Sequence, residues 1–175
     1  MPEKTIQLKD YIRDVPDFPK QGILFRDITP LLAHGEAFAT SVKALAKPFL
    51  DSGIAYVAAV EARGFVFGPA VAEVLGAGFV PIRKPGKLPY ETESVSYALE
   101  YGTDTVEVHV DAVGPGSRVL MVDDLLATGG TMAAACQLIE KLGAEITAIS
   151  FLVELTALRG REKLEGYSVH TVISY

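Results

Sequence analysis

The residues Val119-Leu120-Met121-Val122-Asp123-Asp124-Leu125-Leu126-Ala127-Thr128-Gly129-Gly130-Thr131 decide the fold. Their first four side chains are apolar without interruption, as in a strand buried on both faces. Two carboxylates stand at the C-terminal edge of that strand, and a Gly-rich loop then opens a helix predicted over residues 131–142 and stopped by Gly143. Backbone N–H groups of Ala127, Thr128, Gly129, Gly130 and Thr131 can converge on a phosphate, where the helix dipole adds roughly half a positive charge. The hydroxyls of Thr128 and Thr131 serve the same oxygens. Asp123 and Asp124 repel phosphate but accept charge-assisted hydrogen bonds from sugar hydroxyls. The stretch therefore reads as a cradle for a ribose 5-phosphate. A plain strand-turn-helix junction, with Thr and Gly acting only as caps, is the alternative, and it leaves the Asp-Asp pair unexplained. A Walker loop would need a Lys before the Ser/Thr, and a dinucleotide fingerprint would need G-x-G-x-x-G; the stretch has neither.

Outward from this unit the chain alternates β-branched runs with helical patterns, which predicts an α/β domain with a mostly parallel twisted sheet flanked by helices. Strands are expected over 56–60, 79–82, 118–122, 146–153 and 169–173, and helices over 6–13, 36–49, 65–75 and 157–164. The polar, Pro-rich stretch 84–94 reads as a long exposed loop of the kind that carries function. Residues 94–101 and 105–110 alternate strictly about Gly102-Thr103-Asp104, the pattern of a hairpin, with Val106, Val108 and Val110 on one face and Glu107 and His109 facing solvent. One domain over 1–175 is expected, with an N-terminal hood over 1–32 and a flexible loop and hairpin over 83–110.

At 175 residues such a domain buries roughly 70% of its unfolded surface without a metal or disulfide staple. Cys136 is the only cysteine and lies in an apolar-periodic stretch, so it reads as a core thiol. The net charge of −6 argues against nucleic-acid binding, which needs clustered Lys and Arg. No run approaches the ~20 apolar residues of a membrane span, and a soluble cytoplasmic protein is expected.

The stretch VLMVDDLLATGGT resembles the phosphoribosyl-diphosphate (PRPP) signature of type I phosphoribosyltransferases over all thirteen positions. FPKQGILFRDITP at 18–30, EARGF at 61–65, LEYG at 99–102 and VEL at 153–155 resemble the adenine phosphoribosyltransferase branch, in the same order and spacing. This resemblance implies transfer of the 5-phosphoribosyl group of PRPP to adenine, giving AMP and diphosphate. It also implies magnesium held mainly by PRPP oxygens and water, with no dedicated protein ligands, and a homodimer.

Residue roles follow from the same resemblance. Glu61, Ala62 and Arg63, with Arg83, Lys84 and Lys87, would hold diphosphate, Arg63 bidentately, and the peptide before Ala62 would be cis. Some relatives carry Asp-Ser where this chain has Glu61-Ala62, so a role for that Ser is absent here. Leu24, Phe25 and Arg26 would bind adenine, Phe25 stacking on the purine and the backbone of Arg26 matching its N1 and amino group, with Leu155 on the other face. A keto purine reverses both hydrogen bonds and would be rejected ~10⁴-fold or more. Glu100 would handle the N7 proton, and Tyr101 would close over the reacting centre with the 84–94 loop. Taken without the resemblance, Arg63 also fits a surface ion pair, Phe25 a core aromatic, and Glu100 and Tyr101 exposed strand residues. A PRPP-sensing regulator that had lost turnover is a competing reading; it would need a basic face or an added nucleic-acid-binding segment.

Overall fold

The structure, a computed structural model, describes residues 6–99 and 102–175. Glu100 and Tyr101 lie outside the described residues. The chain divides into two compact units, one ending at Ala44 and one beginning at Leu45.

In the first unit, β1 (Arg13–Pro16) and β2 (Leu24–Asp27) form an antiparallel ribbon in which Asp14 faces Arg26. The helix expected over 6–13 is a single 3-10 turn, Leu8–Tyr11, before β1. Pro16 cannot continue a helix, and the β-branched Ile12 and Val15 favour extended backbone, so the helix-like spacing is overridden. A short helix α1 (Thr29–Ala33), not foreseen from sequence, starts with Pro30 in its first turn. It leads to α2 (Gly35–Ala46), which is followed by a 3-10 turn Lys47–Phe49.

The second unit is built on a five-stranded sheet. Its strands are β3 (Tyr56–Val60), β4 (Gly78–Ile82), β7 (Arg118–Leu126), β8 (Glu145–Glu154) and β9 (Val169–Ser174), with β5 (Thr92–Ala98) and β6 (Thr103–His109) forming a separate antiparallel hairpin. The sheet order is β4-β3-β7-β8-β9, and every neighbouring pair is parallel. The order reverses between β3 and β7, so a crevice opens beyond their C-terminal ends.

Period-two alternation assigns the two faces. On one, α3 (Gly64–Leu75) lies so close to the sheet that a Cβ at Gly68 would fall 2.6 Å from the Phe79 ring and 2.8 Å from Ala59 Cβ. On the other, Ala58, Val60, Val80, Ile82 and Met121 join Met132, Ala135, Cys136 and Ile139 of α4 (Gly130–Lys141) in one buried cluster. Val106 and Val108 of the hairpin complete that cluster, but Val110, expected with them, lies beyond β6 and is 39% exposed. His109 does not simply face solvent: its Nε2 accepts the Tyr90 N–H at 3.3 Å and its ring meets that of Tyr90 edge-on. The helix expected over 157–164 is two 3-10 turns, Thr156–Leu158 and Gly160–Leu164, broken by Arg159 at φ 53°.

Candidate active site

Three strand ends converge on the crevice. β7 runs four residues further than its apolar stretch, so Asp123 and Asp124 are strand residues and the turn begins at Ala127. Gly129 then turns the chain at φ 79°, a left-handed conformation open to glycine at no steric cost, and its carbonyl accepts the Ala133 N–H at 3.0 Å to start α4. The cavity so formed holds about 210 Å³ and is lined by Arg63, Asp123, Asp124 and the loop residues Ala127, Thr128, Gly129, Gly130 and Thr131. The structure thus brings together the acidic pair, the Gly-rich loop expected to hold phosphate, and Arg63.

The two carboxylates are held in different ways. Asp124 is buried, at 4% exposure, and its Oδ2 lies 3.0 Å from Arg63 Nε; Asp123 Oδ1 accepts the Asp124 N–H at 2.9 Å. Burial, and then the charge of Asp124, push the Asp123 carboxyl well above its ordinary range. Burial also raises Asp124, against the pull of Arg63. A hydroxyl donor or a cation reaching this pair relieves that penalty. Gly64 keeps the neighbourhood clear, since a Cβ there would lie 3.1 Å from Asp123 Oδ1.

At the adjoining end of β3 the Glu61–Ala62 peptide is cis. Because β3 and β4 end side by side, Glu61 meets Arg83: its Oε2 takes Arg83 Nη2 at 2.9 Å, and its Oε1 accepts the Lys84 N–H. The Lys84 amide, followed by Arg83, holds the Glu61 carboxyl below its usual range. Arg83 also donates to the Lys87 carbonyl at 3.3 Å, which shapes the turn carrying Lys84 and Lys87. Of the four candidate site cations, Arg63, Arg83 and Lys84 lean on carboxylates of the chain, respectively Asp124, Glu61 and Asp104.

Two residues that sequence reasoning missed connect the hairpin to the cradle. Tyr97 OH donates to Asp104 Oδ2 at 3.1 Å and lies 3.1 Å from Thr131 Oγ1. Asp104, held below its usual range mainly by the Lys84 hydrogen bond, anchors this chain of contacts. At the end of β8 the Leu155 N–H donates to the Leu126 carbonyl at 3.0 Å, so Leu155 stands beside the start of the phosphate loop. In the first unit, Phe25 packs edge-on against Phe18 with ring centres 5.1 Å apart, Leu24 is 46% exposed, and the Arg26 guanidinium pairs with Asp14. Among the described residues no group of three or more His, Cys, Asp or Glu gathers into a metal cage. The hard oxygens nearest the cradle are those of Asp123 and Asp124, a donor type that suits magnesium bound largely through water and substrate. No helix among the described residues is long and apolar enough to cross a membrane.

The chain matches the family model of the phosphoribosyl transferase domain over residues 31–172. It is 59% identical over 174 residues to an adenine phosphoribosyltransferase of Rhodopirellula baltica, covering 99% of this chain and 84% of that protein. The crystal structure of the adenine phosphoribosyltransferase of Thermoanaerobacter pseudethanolicus is 55% identical and superposes with a TM-score of 0.93, over 96% of this chain and 98% of that one. The Saccharomyces cerevisiae enzyme, crystallised with adenine and an imino-altritol bisphosphate, is 43% identical with a TM-score of 0.89, over 94% and 96% of the two chains. A cradle at the switch point of a parallel sheet, matched along nearly the whole chain by these proteins, means that the chain belongs to the adenine phosphoribosyltransferase family.

Proposed function

We propose that this protein transfers the 5-phosphoribosyl group of PRPP to adenine, releasing AMP and diphosphate, as a cytoplasmic homodimeric enzyme of purine salvage. The observation that carries the reading is the cavity in which two raised carboxylates, a Gly-rich loop and Arg63 meet beyond the C-terminal ends of the inner strands β3 and β7. In this reading Asp123 and Asp124 accept the ribose hydroxyls, and the loop N–H groups with Thr128 and Thr131 hold the 5-phosphate. Ala62, Arg63, Arg83, Lys84 and Lys87 receive the diphosphate, Glu61 acting through the guanidinium it orients. Magnesium would be held mainly by PRPP oxygens and water, with Asp123 and Asp124 as the nearby hard-oxygen groups, and would supply neutralisation of charge on the leaving diphosphate.

The base is assigned to Phe25 and to the backbone of Arg26, and the N7 proton to Glu100. Purified protein with magnesium and PRPP is expected to form AMP from adenine, with little product from hypoxanthine, guanine or orotate. Preference for orotate or hypoxanthine would refute the base assignment. Sedimentation is expected to give a dimer.

A further inference from the structure

We propose that Lys163, from the 3-10 turn Gly160–Leu164, is a further ligand of the 5-phosphate, closing over the Gly130 side of the loop; this rests on reading that loop as the phosphate cradle. A Cβ placed on Gly130 would lie 3.6 Å from Lys163 Nζ, so the ammonium stands beside Gly130, one of the residues that line the cavity. The charges around it are already spent. Arg159 pairs with Glu162, and Arg161 with Glu154, whereas Lys163 pairs with no carboxylate among the described residues.

The turn is fixed against the loop rather than merely near it. Gly160 packs its backbone on Ala127 and Gly129 so tightly that a Cβ on Gly160 would strike the Ala127 carbonyl and one on Gly129 would strike the Gly160 carbonyl. Arg161 grips the buried Glu154 through Nε and Nη2, both at 2.8 Å, and reaches the Val169 carbonyl and Thr171 Oγ1 at 3.1 and 3.2 Å. That bidentate grip ties the turn to the ends of β8 and β9. The backbone of Lys163 is thereby fixed beside the cradle, and only its four-carbon tether must order on binding.

A cation is needed at this end. A 5-phosphate carries close to two negative charges, the helix end supplies roughly half a positive one, and Arg63 is already paired with Asp124. An ammonium on a flexible stem suits a phosphate oxygen approached from one side.

The test compares wild type, Lys163→Met and Lys163→Arg by titration calorimetry with ribose 5-phosphate and with AMP, at low and at roughly 0.5 M salt, and by steady-state kinetics. Lys163→Met is expected to weaken both ligands about tenfold at low salt, with a smaller difference at high salt where the charge is screened. It is expected to raise the KM for PRPP in parallel, with kcat and the KM for adenine within about twofold of wild type, and Lys163→Arg restores most of the loss. Unchanged affinity in Lys163→Met overturns the proposal, as does a loss shared equally by adenine or not restored by Arg. Wild-type protein that bound neither ribose 5-phosphate nor AMP would instead overturn the reading of the loop as a phosphate cradle.

Discussion

Substituting Gly160 by Ala tests whether the wall of the cradle sets its shape. The new Cβ would meet the Ala127 carbonyl inside contact distance and would lie 2.8 Å from Leu126 Cδ1 and 3.1 Å from Cγ. Leu126 is 1% exposed within the packed core and cannot swing aside. The Gly160 turn cannot easily retreat either, because Arg161 holds it to Glu154 through two 2.8 Å bonds. The softest partner is the phosphate loop, which must give by several tenths of an ångström. Overpacking of this kind costs roughly 1–3 kcal/mol. At roughly 2–4 °C per kcal/mol for a chain of this size, Tm should fall by roughly 2–12 °C. Displaced N–H groups lose their aim at the 5-phosphate, so the KM for PRPP should rise about tenfold while the KM for adenine changes little. Calorimetry with and without ribose 5-phosphate, joined to steady-state kinetics, reads both effects, and the ligand should stabilise the variant less than wild type. A variant with the wild-type Tm and the wild-type KM for PRPP would show that the Gly160 contact does not shape the loop.

Three further outcomes follow from the same geometry. Asp123→Asn removes a carboxylate whose ionisation burial and Asp124 both oppose; because its folded pKa lies above the unfolded 3.8, its ionisation costs stability that is recovered as pH falls towards 3.8, so the variant should melt higher than wild type at pH 7, the gap should narrow as pH falls towards 3.8, and ribose 5-phosphate affinity should drop at least tenfold. A lower Tm at pH 7 would contradict the burial cost. Cys136, fully buried and pushed up to about 12 by burial and then by the charge of Glu140, should not react with a disulfide reagent at pH 8 until the protein is denatured, when one thiol should appear. Glu100→Gln should lower turnover by ~10²-fold or more with PRPP affinity kept; unchanged single-turnover rates would remove Glu100 from the proton role.

The sheet was legible because its inner strands β3, β7 and β8 are largely buried on both faces. Runs such as Tyr56–Val60 and the apolar part of β7 leave no helical alternative, and the glycines after β7 mark the loop that opens α4. The cradle was legible for the same reason, since strand, acids and loop are contiguous in sequence. Residues 6–13 were misread because one 3-10 turn imitates the spacing of a longer helix, and because the pairing of β1 with β2 depends on partners later in the chain, such as Asp27 for Arg13 and Leu24 for Pro16. Tyr97, Asp104 and Lys163 were missed because each reaches the loop through tertiary contact, from a hairpin arm or a turn whose own sequence is unremarkable for its position.

What no local pattern could show is which carboxylate each cation rests on. Arg63 on Asp124, Arg83 on Glu61 and Lys84 on Asp104 bring together residues 20 or more positions apart. These pairings change the energetics of the site. At Arg63, Arg83 and Lys84 an arriving polyanion competes with carboxylates already in place, so its binding energy there is a difference between two sets of charge-assisted bonds. A site arranged in this way stays close to neutral and keeps its guanidiniums aimed before the substrate arrives. In the proposed reading, the same competition would favour a substrate that carries both a diphosphate and ribose hydroxyls, which would engage Arg63, Arg83 and Lys84 while relieving the raised Asp123 and Asp124 pair.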